Sequence, residues 1–242
     1  MNKYIQIIEN NKELIFESMS NIYKIKIGDN DQRCCTSDND YILKESFIKS
    51  DEHTILQKIN HDSIIKYHNY IEHKKKYYLI TEYFDGQNLK LFNFKDKKDE
   101  IIKIFNNLIK TIEYLHNNHI VHFDISRSNV LYDGKIIKLI DFNTSFCINN
   151  KTEFVNDNMF GRWQNIAPIT LNEGNTGYFN DIWALGILLY NMTYNREPFH
   201  RRSYKFENIY YNKKYEKINK IIKYILGNYL EINISDLIIF LD

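Results

Sequence analysis

The chain has 242 residues, 43% of them hydrophobic and 26% charged, a composition that suits one large domain or two lobes and excludes wholesale disorder. With 32 basic and 31 acidic residues the net charge is +1, so no overall field draws the chain to nucleic acid or to an anionic membrane. Its three cysteines, Cys34, Cys35 and Cys147, make neither a disulfide framework nor a zinc site, and they fit a reducing, cytoplasmic compartment (a host's, for a viral source).

Taken in chain order, Met1 to Tyr4 leads into mixed polar sequence without a signal-peptide core, and residues 1–22 read as an N-terminal extension. Tyr23 to Ile27 alternates polar and apolar residues, as a half-buried strand does. Tyr41-Ile42-Leu43 is a compact strand before Lys44, and Tyr77 to Tyr83 is another. Between them Ser50 is placed to cap a helix with apolar positions Ile55, Leu56 and Ile59, and Asp51 and Glu52 suit its first turn. Asp85-Gly86-Gln87-Asn88 reads as a turn.

Beyond that turn the period changes. Ile101, Phe105, Leu108, Ile112 and Leu115 recur at helical spacing, opened by Asp99-Glu100 and closed by Asn117-Asn118. Val130 to Tyr132 and Ile136 to Ile140 flank Asp133-Gly134 as a hairpin. Ile182 to Met192 is apolar nearly all round and so predicts a buried helix, while its apolar run is far short of the ~20 residues that span a bilayer. Lys217 to Leu241 carries helical periodicity without a motif. The pattern predicts an α+β fold of two lobes: a small β-rich N-lobe with one short helix over 23–83, a hinge over 84–88, and a larger, mainly helical C-lobe over 89–242.

The chemistry sits around the hairpin. Phosphoryl transfer needs a positioned acceptor hydroxyl and metal ions on the phosphates, and magnesium takes oxygen ligands from one or two carboxylates plus phosphate. In His122-Phe123-Asp124-Ile125-Ser126-Arg127-Ser128-Asn129, a carboxylate (Asp124) and a later amide (Asn129) share one loop, and Asp141-Phe142 follows at a strand end. Any one of these residues alone is more often an ordinary turn Asp or Asn. Together, residues 112–142 resemble the catalytic and metal-binding loops of eukaryotic-type protein kinases.

That resemblance implies a catalytic base at Asp124, metal ligands at Asn129 and Asp141, and ATP with Mg2+ as cofactors. It extends to Tyr41-Ile42-Leu43-Lys44, similar to the strand of the phosphate-binding lysine, and to Glu52, similar to that lysine's partner. Thr81-Glu82-Tyr83-Phe84-Asp85-Gly86 resembles the hinge, with Thr81 as gatekeeper and with Glu82 and Phe84 beside the nucleotide. Gly28 resembles what remains of the glycine-rich loop. Ala167-Pro168 and Asp181 to Gly186 resemble the close of the activation segment and the buried helix whose Asp braces the catalytic loop. The expected activity is serine/threonine-directed phosphotransfer to protein substrates, with no nucleic-acid or membrane partner.

Several positions depart from the family pattern. Gly28 is the only glycine before Lys44, and Glu52 follows Lys44 after only eight positions. Asn143 stands where a glycine is usual, Phe123 replaces the arginine that reads loop phosphate, and Ser126 replaces a phosphate-contacting lysine. Arg127 or Arg162 is expected to return that cation, and loss of the Phe123 arginine predicts activity without phosphorylation at Thr144, Ser145 or Thr152. Ile169 replaces a glutamate whose late partner aligns with Asn233, so both charges are absent together. The alternatives are a pseudokinase that binds without transfer, favoured by the poor glycine loop, and a small-molecule phosphotransferase sharing the Asp/Asn spacing.

Overall fold

The computed structural model describes residues 12–17, 20–27, 39–148, 152–154, 163–199 and 204–241. Gly28 and Arg162 lie outside them. The chain divides into two compact units, one formed by residues up to Asn60 with Ile65–Asp85, the other by His61–Ile64 with Gly86–Asp242. One is β-rich and the other mainly helical, the two-lobed α+β architecture that the sequence pattern predicts.

The first unit is built on strands β1 (Lys12–Glu17), β2 (Ser20–Ile27) and β3 (Asn39–Ser46), helix α1 (Glu52–Leu56), and strands β4 (Tyr67–His73) and β5 (Lys76–Glu82). They form one antiparallel sheet in the order β1-β2-β3-β5-β4. Period-two alternation turns Ile25 and Ile27 inward and leaves Lys26 exposed, and these isoleucines pack with Leu43, Ile71, Tyr78 and Ile80. β1 lies within the stretch read as an extension, yet it is hydrogen-bonded to β2 from Lys12↔Ile25 to Glu17↔Asn21. The cap of α1 is corrected: Asp51, not Ser50, occupies the N-cap position, and no side chain caps it. Ile55, Leu56 and Ile59 are buried as expected, although the helix ends at Leu56.

The second unit begins with β6 (Gln87–Asn88), which pairs with β8 below; the expected four-residue turn is thus half strand. Helix α2 (Lys98–Asn117) buries Ile101, Phe105, Leu108, Ile112 and Leu115, the predicted stripe. Strand β7 (Ile120–Val121) follows, then the hairpin of β8 (Val130–Tyr132) and β9 (Ile137–Leu139), in register from Val130↔Leu139 to Tyr132↔Ile137. In its turn Asp133 Oδ1 accepts the N–H groups of Lys135 and Ile136 at 2.7 and 2.8 Å, and Gly134 takes φ 95°.

Strand β10 (Phe146–Cys147) pairs with β7, and β11 (Thr152–Phe154) pairs with β12 (Asn175–Gly177), with helix α3 (Pro168–Glu173) between the latter two. Helix α4 (Tyr178–Tyr194) is buried along most of its length, Trp183 included, as its all-round apolarity predicts. Helix α5 (Glu216–Asn228) packs so closely that a Cβ built on Gly186 of α4 would lie 2.8 Å from Ile225 Cγ2 and Leu226 Cδ2. A 3-10 stretch, Ile234–Leu241, ends the unit. No helix among the described residues is long and apolar enough to cross a membrane.

Candidate active site

In the first unit, Lys44 and Glu52 meet. Lys44 Nζ donates to Glu52 Oε2 at 2.8 Å, and both side chains are largely withdrawn from water at 15% and 5% exposure. The short spacing is accommodated because Lys44 sits near the C-terminal end of β3 while Glu52 is the first residue of α1. Thr81 is buried in β5. Glu82, at the strand end, is tied to Lys66 twice: its N–H donates to the Lys66 carbonyl at 3.0 Å, and its Oε1 accepts the Lys66 N–H at 2.9 Å. Phe84 follows in non-regular backbone.

In the second unit, hydrogen bonds join Asp124 to Asn129 and tie the residue before Asp141 to the same loop. Asn129 Nδ2 donates to the Asp124 carbonyl at 2.9 Å and to Asp124 Oδ2 at 2.7 Å. Both amide hydrogens are thereby spent, which fixes the amide's orientation and leaves its oxygen as the atom able to meet a cation. The Asn129 carbonyl accepts the Ile140 N–H at 2.9 Å, so the loop is bonded to the residue just before Asp141. His122 adds a second tie. Its Nδ1 accepts the Asp124 N–H at 3.3 Å, which makes Nε2 the donor to the Ile140 carbonyl at 3.2 Å. The imidazole also meets Phe142 edge-on, with ring centroids 4.7 Å apart.

Two residues here adopt the left-handed backbone region, Phe123 (φ 69°) and Asp141 (φ 65°). A bulky aromatic there is uncommon, and such conformations persist where the surroundings over-determine them. What determines Phe123 is Asp181 at the start of α4. Asp181 is fully buried; its Oδ1 accepts the Phe123 N–H at 2.9 Å, and its Oδ2 accepts the His122 N–H at 2.9 Å and meets His116 Nε2 at 3.0 Å. The Phe123 ring packs with Val121 and Ile148, flanked by Phe146 and Tyr178. An apolar cluster therefore stands where an arginine would receive phosphate. Thr144 and Ser145 turn inward as well, each donating its hydroxyl to the His122 carbonyl, at 3.3 and 3.0 Å. The Thr152 side chain lies outside the description.

The expectation that Arg127 supplies a phosphate-contacting cation is corrected. Among the described residues its guanidinium donates only to carbonyl or amide oxygens, including Leu89 O at 2.9 Å, Phe92 O at 2.9 Å and Asn195 Oδ1 at 2.7 Å. Ser126 is buried and brings no charge to the loop. Asn233 is exposed, its N–H donating to Asp236 Oδ2 at 2.8 Å. The hold on Ala167-Pro168 passes instead to Asn180, which the sequence reading missed. Buried Asn180 Oδ1 accepts from Ala167 N at 3.2 Å and Thr170 Oγ1 at 2.9 Å, and its Nδ2 donates to Thr176 Oγ1 at 2.7 Å. A polar residue beside Asp181 in an otherwise apolar helix was the available signal. A groove of about 660 Å³ at the N-terminal ends of α2 and α5, lined by Lys98, Lys103, Tyr215 and Lys217 among others, contains none of the predicted site residues.

Comparison with known proteins agrees with this geometry. The protein kinase domain model matches residues 17–239. Among similar curated proteins, serine/threonine-protein kinase PKH2 of Saccharomyces cerevisiae is 31% identical over 177 residues, covering 66% of this chain and 16% of that protein. Serine/threonine-protein kinase TIO of Arabidopsis thaliana is 27% identical over 173 residues, 67% of this chain and 13% of that protein. Death-associated protein kinase 2 of Mus musculus is 32% identical over 158 residues, 61% of this chain and 42% of that protein. The chain thus spans less than half the length of these relatives. With most of its length matched and with the loop, strand and helix motifs assembled as described, this chain belongs to the protein kinase domain family.

Proposed function

We propose that this domain transfers the γ-phosphate of ATP to serine or threonine hydroxyls of protein substrates. The observation that carries the reading is the bonded pair of Asp124 and Asn129, with the residue before Asp141 tied to the Asn129 carbonyl. Asp124 takes the hydroxyl proton as the new oxygen–phosphorus bond forms and ADP leaves. Among the described residues no cluster of three or more His, Cys, Asp or Glu could hold a metal by protein groups alone. Magnesium takes few protein ligands and completes its shell with phosphate and water. The Asn129 amide oxygen and the Asp141 carboxylate are the hard donors that would hold it, and the ion would neutralise charge on the phosphates. Lys44, oriented by Glu52, is the cation for the nucleotide phosphates, and the backbone at Glu82 and Phe84 is the adenine contact. The serine/threonine direction follows the names of the relatives.

Incubation with radiolabelled ATP, Mg2+ and generic protein substrates, followed by phosphoamino-acid analysis, tests the reading. Label on serine or threonine that disappears in Asp124→Ala supports it; label on tyrosine alone, or label undiminished in that variant, contradicts it. The pseudokinase alternative rests on the poor glycine loop, on Ile169 and on Ser126, which leaves the loop without the usual cation. Stabilisation by MgATP without any transfer would favour it.

Activity should not depend on phosphorylation of the segment after Asp141. The Phe123 cluster packs β10 against β7 without a phosphate, and the hydroxyls of Thr144 and Ser145 are already committed to the His122 carbonyl. Phosphatase treatment should leave the rate unchanged, and a treatment that abolished activity would overturn this point.

A further inference from the structure

We propose that Arg127 is a positioning residue, the second of two anchors that set the loop bearing Asp124 and Asn129. The inference rests on the kinase reading for its kinetic consequence only. Asp181 holds one end of the loop through the N–H groups of His122 and Phe123. Arg127 lies between Asp124 and Asn129 and holds the other end. Its Nε and Nη2 both donate to Leu89 O, at 3.1 and 2.9 Å, and Nη2 also reaches Phe92 O at 2.9 Å. In return the Lys90 N–H donates to the Arg127 carbonyl at 3.1 Å, so the loop and the 89–92 segment grip each other through side chain and backbone.

Nη1 turns to the C-terminal end of α4, donating to Asn195 Oδ1 at 2.7 Å and to Asn191 O at 3.4 Å. Asn195 is that helix's C-cap, in the left-handed conformation at φ 50°. Helix C-termini present unpaired carbonyls and a negative dipole end, where a cation is stabilising. Burial lowers the guanidinium's pKa while the nearby Glu197 charge opposes that. The two anchors therefore tie the loop to the same helix, Asp181 at its start and Arg127 at its end.

What the second anchor positions is legible in the bonds beside it. The Asn129 N–H donates to Ser126 O at 3.0 Å, closing the turn that contains Arg127, and the Asn129 amide in turn holds Asp124. Release of Arg127 frees that turn and moves the amide that orients the Asp124 carboxylate. Lysine is no substitute, because an ammonium on a flexible stem cannot meet spread-out carbonyls as a planar fork does.

The test compares wild type with Arg127→Met, which keeps the apolar stem, and with Arg127→Lys. Peptide-resolved hydrogen exchange and steady-state kinetics are measured on the full chain. Faster exchange in Arg127→Met is expected at 126–130 and 89–92, with 121–123 as protected as before. kcat should fall by up to ~100-fold, as small misplacements of catalytic groups do, while KM for ATP stays within about threefold. Arg127→Lys should recover less than a tenth of the lost rate. Unchanged exchange and kcat would overturn the proposal. So would exchange raised throughout the chain, which marks a merely structural residue, or a raised KM at constant kcat, which marks a phosphate contact. If wild type transfers no phosphate, the kinase reading fails, and the exchange pattern still decides whether Arg127 anchors the loop.

Discussion

The two units hold their predicted site residues by different means. In the first, Lys44 and Glu52 meet through side chains, from a strand and a helix of only five residues. In the second, Asp124 and Asn129 are tied by amide bonds, the backbone before Asp141 is bonded to Asn129, and a fully buried carboxylate braces the loop. A side-chain pair tolerates shifts in loop length and spacing, because long side chains absorb them. A backbone-bonded loop tolerates none, and it is here that the family's spacing is kept to the residue. Phe123 and Ser126, two departures in the second unit, are uncharged: one lies in an apolar cluster and the other brings no cation.

The contrast can be broken most forcefully at Asp181. Asp181→Ala leaves buried N–H groups at His122 and Phe123 unpaired and should cost about 3–5 kcal/mol in denaturant unfolding. A loss under about 1 kcal/mol would show that the loop does not depend on that brace. Lys44→Met leaves Glu52 buried without its cation and should cost less, about 1–3 kcal/mol. Its signature is nucleotide affinity, which should fall in thermal shift with MgATP while hydrogen exchange at 122–130 stays as in wild type. Gly186→Ala should cost ~1–2 kcal/mol, because overpacking against Ile225 and Leu226 outweighs the gain in helix propensity. Leu226→Ala should cost less in that background than in wild type, because it relieves part of the overlap.

The smallest effect concerns the hairpin. The backbone N–H groups of Ile136 and then Lys135 hold the Asp133 carboxyl below its ordinary range. A depressed folded-state pKa gives stability that is present above the unfolded value of about 3.9 and lost as pH falls through the folded value. Asp133→Ala should therefore cost under about 1 kcal/mol at neutral pH, since the group is exposed and screened. The difference from wild type should vanish in strong acid. A difference that persisted there would assign the effect to something other than the carboxylate.

Much of this was legible in the sequence, for identifiable reasons. Asp124, Asn129 and Asp141 are visible because a backbone-bonded loop fixes their spacing. The α2 stripe and the α4 run are visible because burial enforces period and apolarity. β1 and β4 were missed: Leu14-Ile15-Phe16 does not alternate, and Tyr67–His73 is mostly polar or aromatic. Such strands are specified by their neighbours in the sheet. Asn180 and Arg127 were opaque for another reason. The partners of Arg127 come from segments distant in sequence, so it read as a phosphate contact until the fold supplied Leu89 and Asn195; those of Asn180 are near in sequence, but only the turn of the chain before α4 brings Thr170 and Thr176 to its amide.

The most direct test of the central claim is a paired measurement of ATP affinity and single-turnover phosphotransfer, with Mg2+, on wild type and Asp124→Asn. The account predicts ATP binding within about threefold in both and transfer at least ~100-fold slower in the variant, the loss expected when a general base is removed. Equal transfer rates in the two, or nucleotide binding by wild type with no transfer at all, would contradict it.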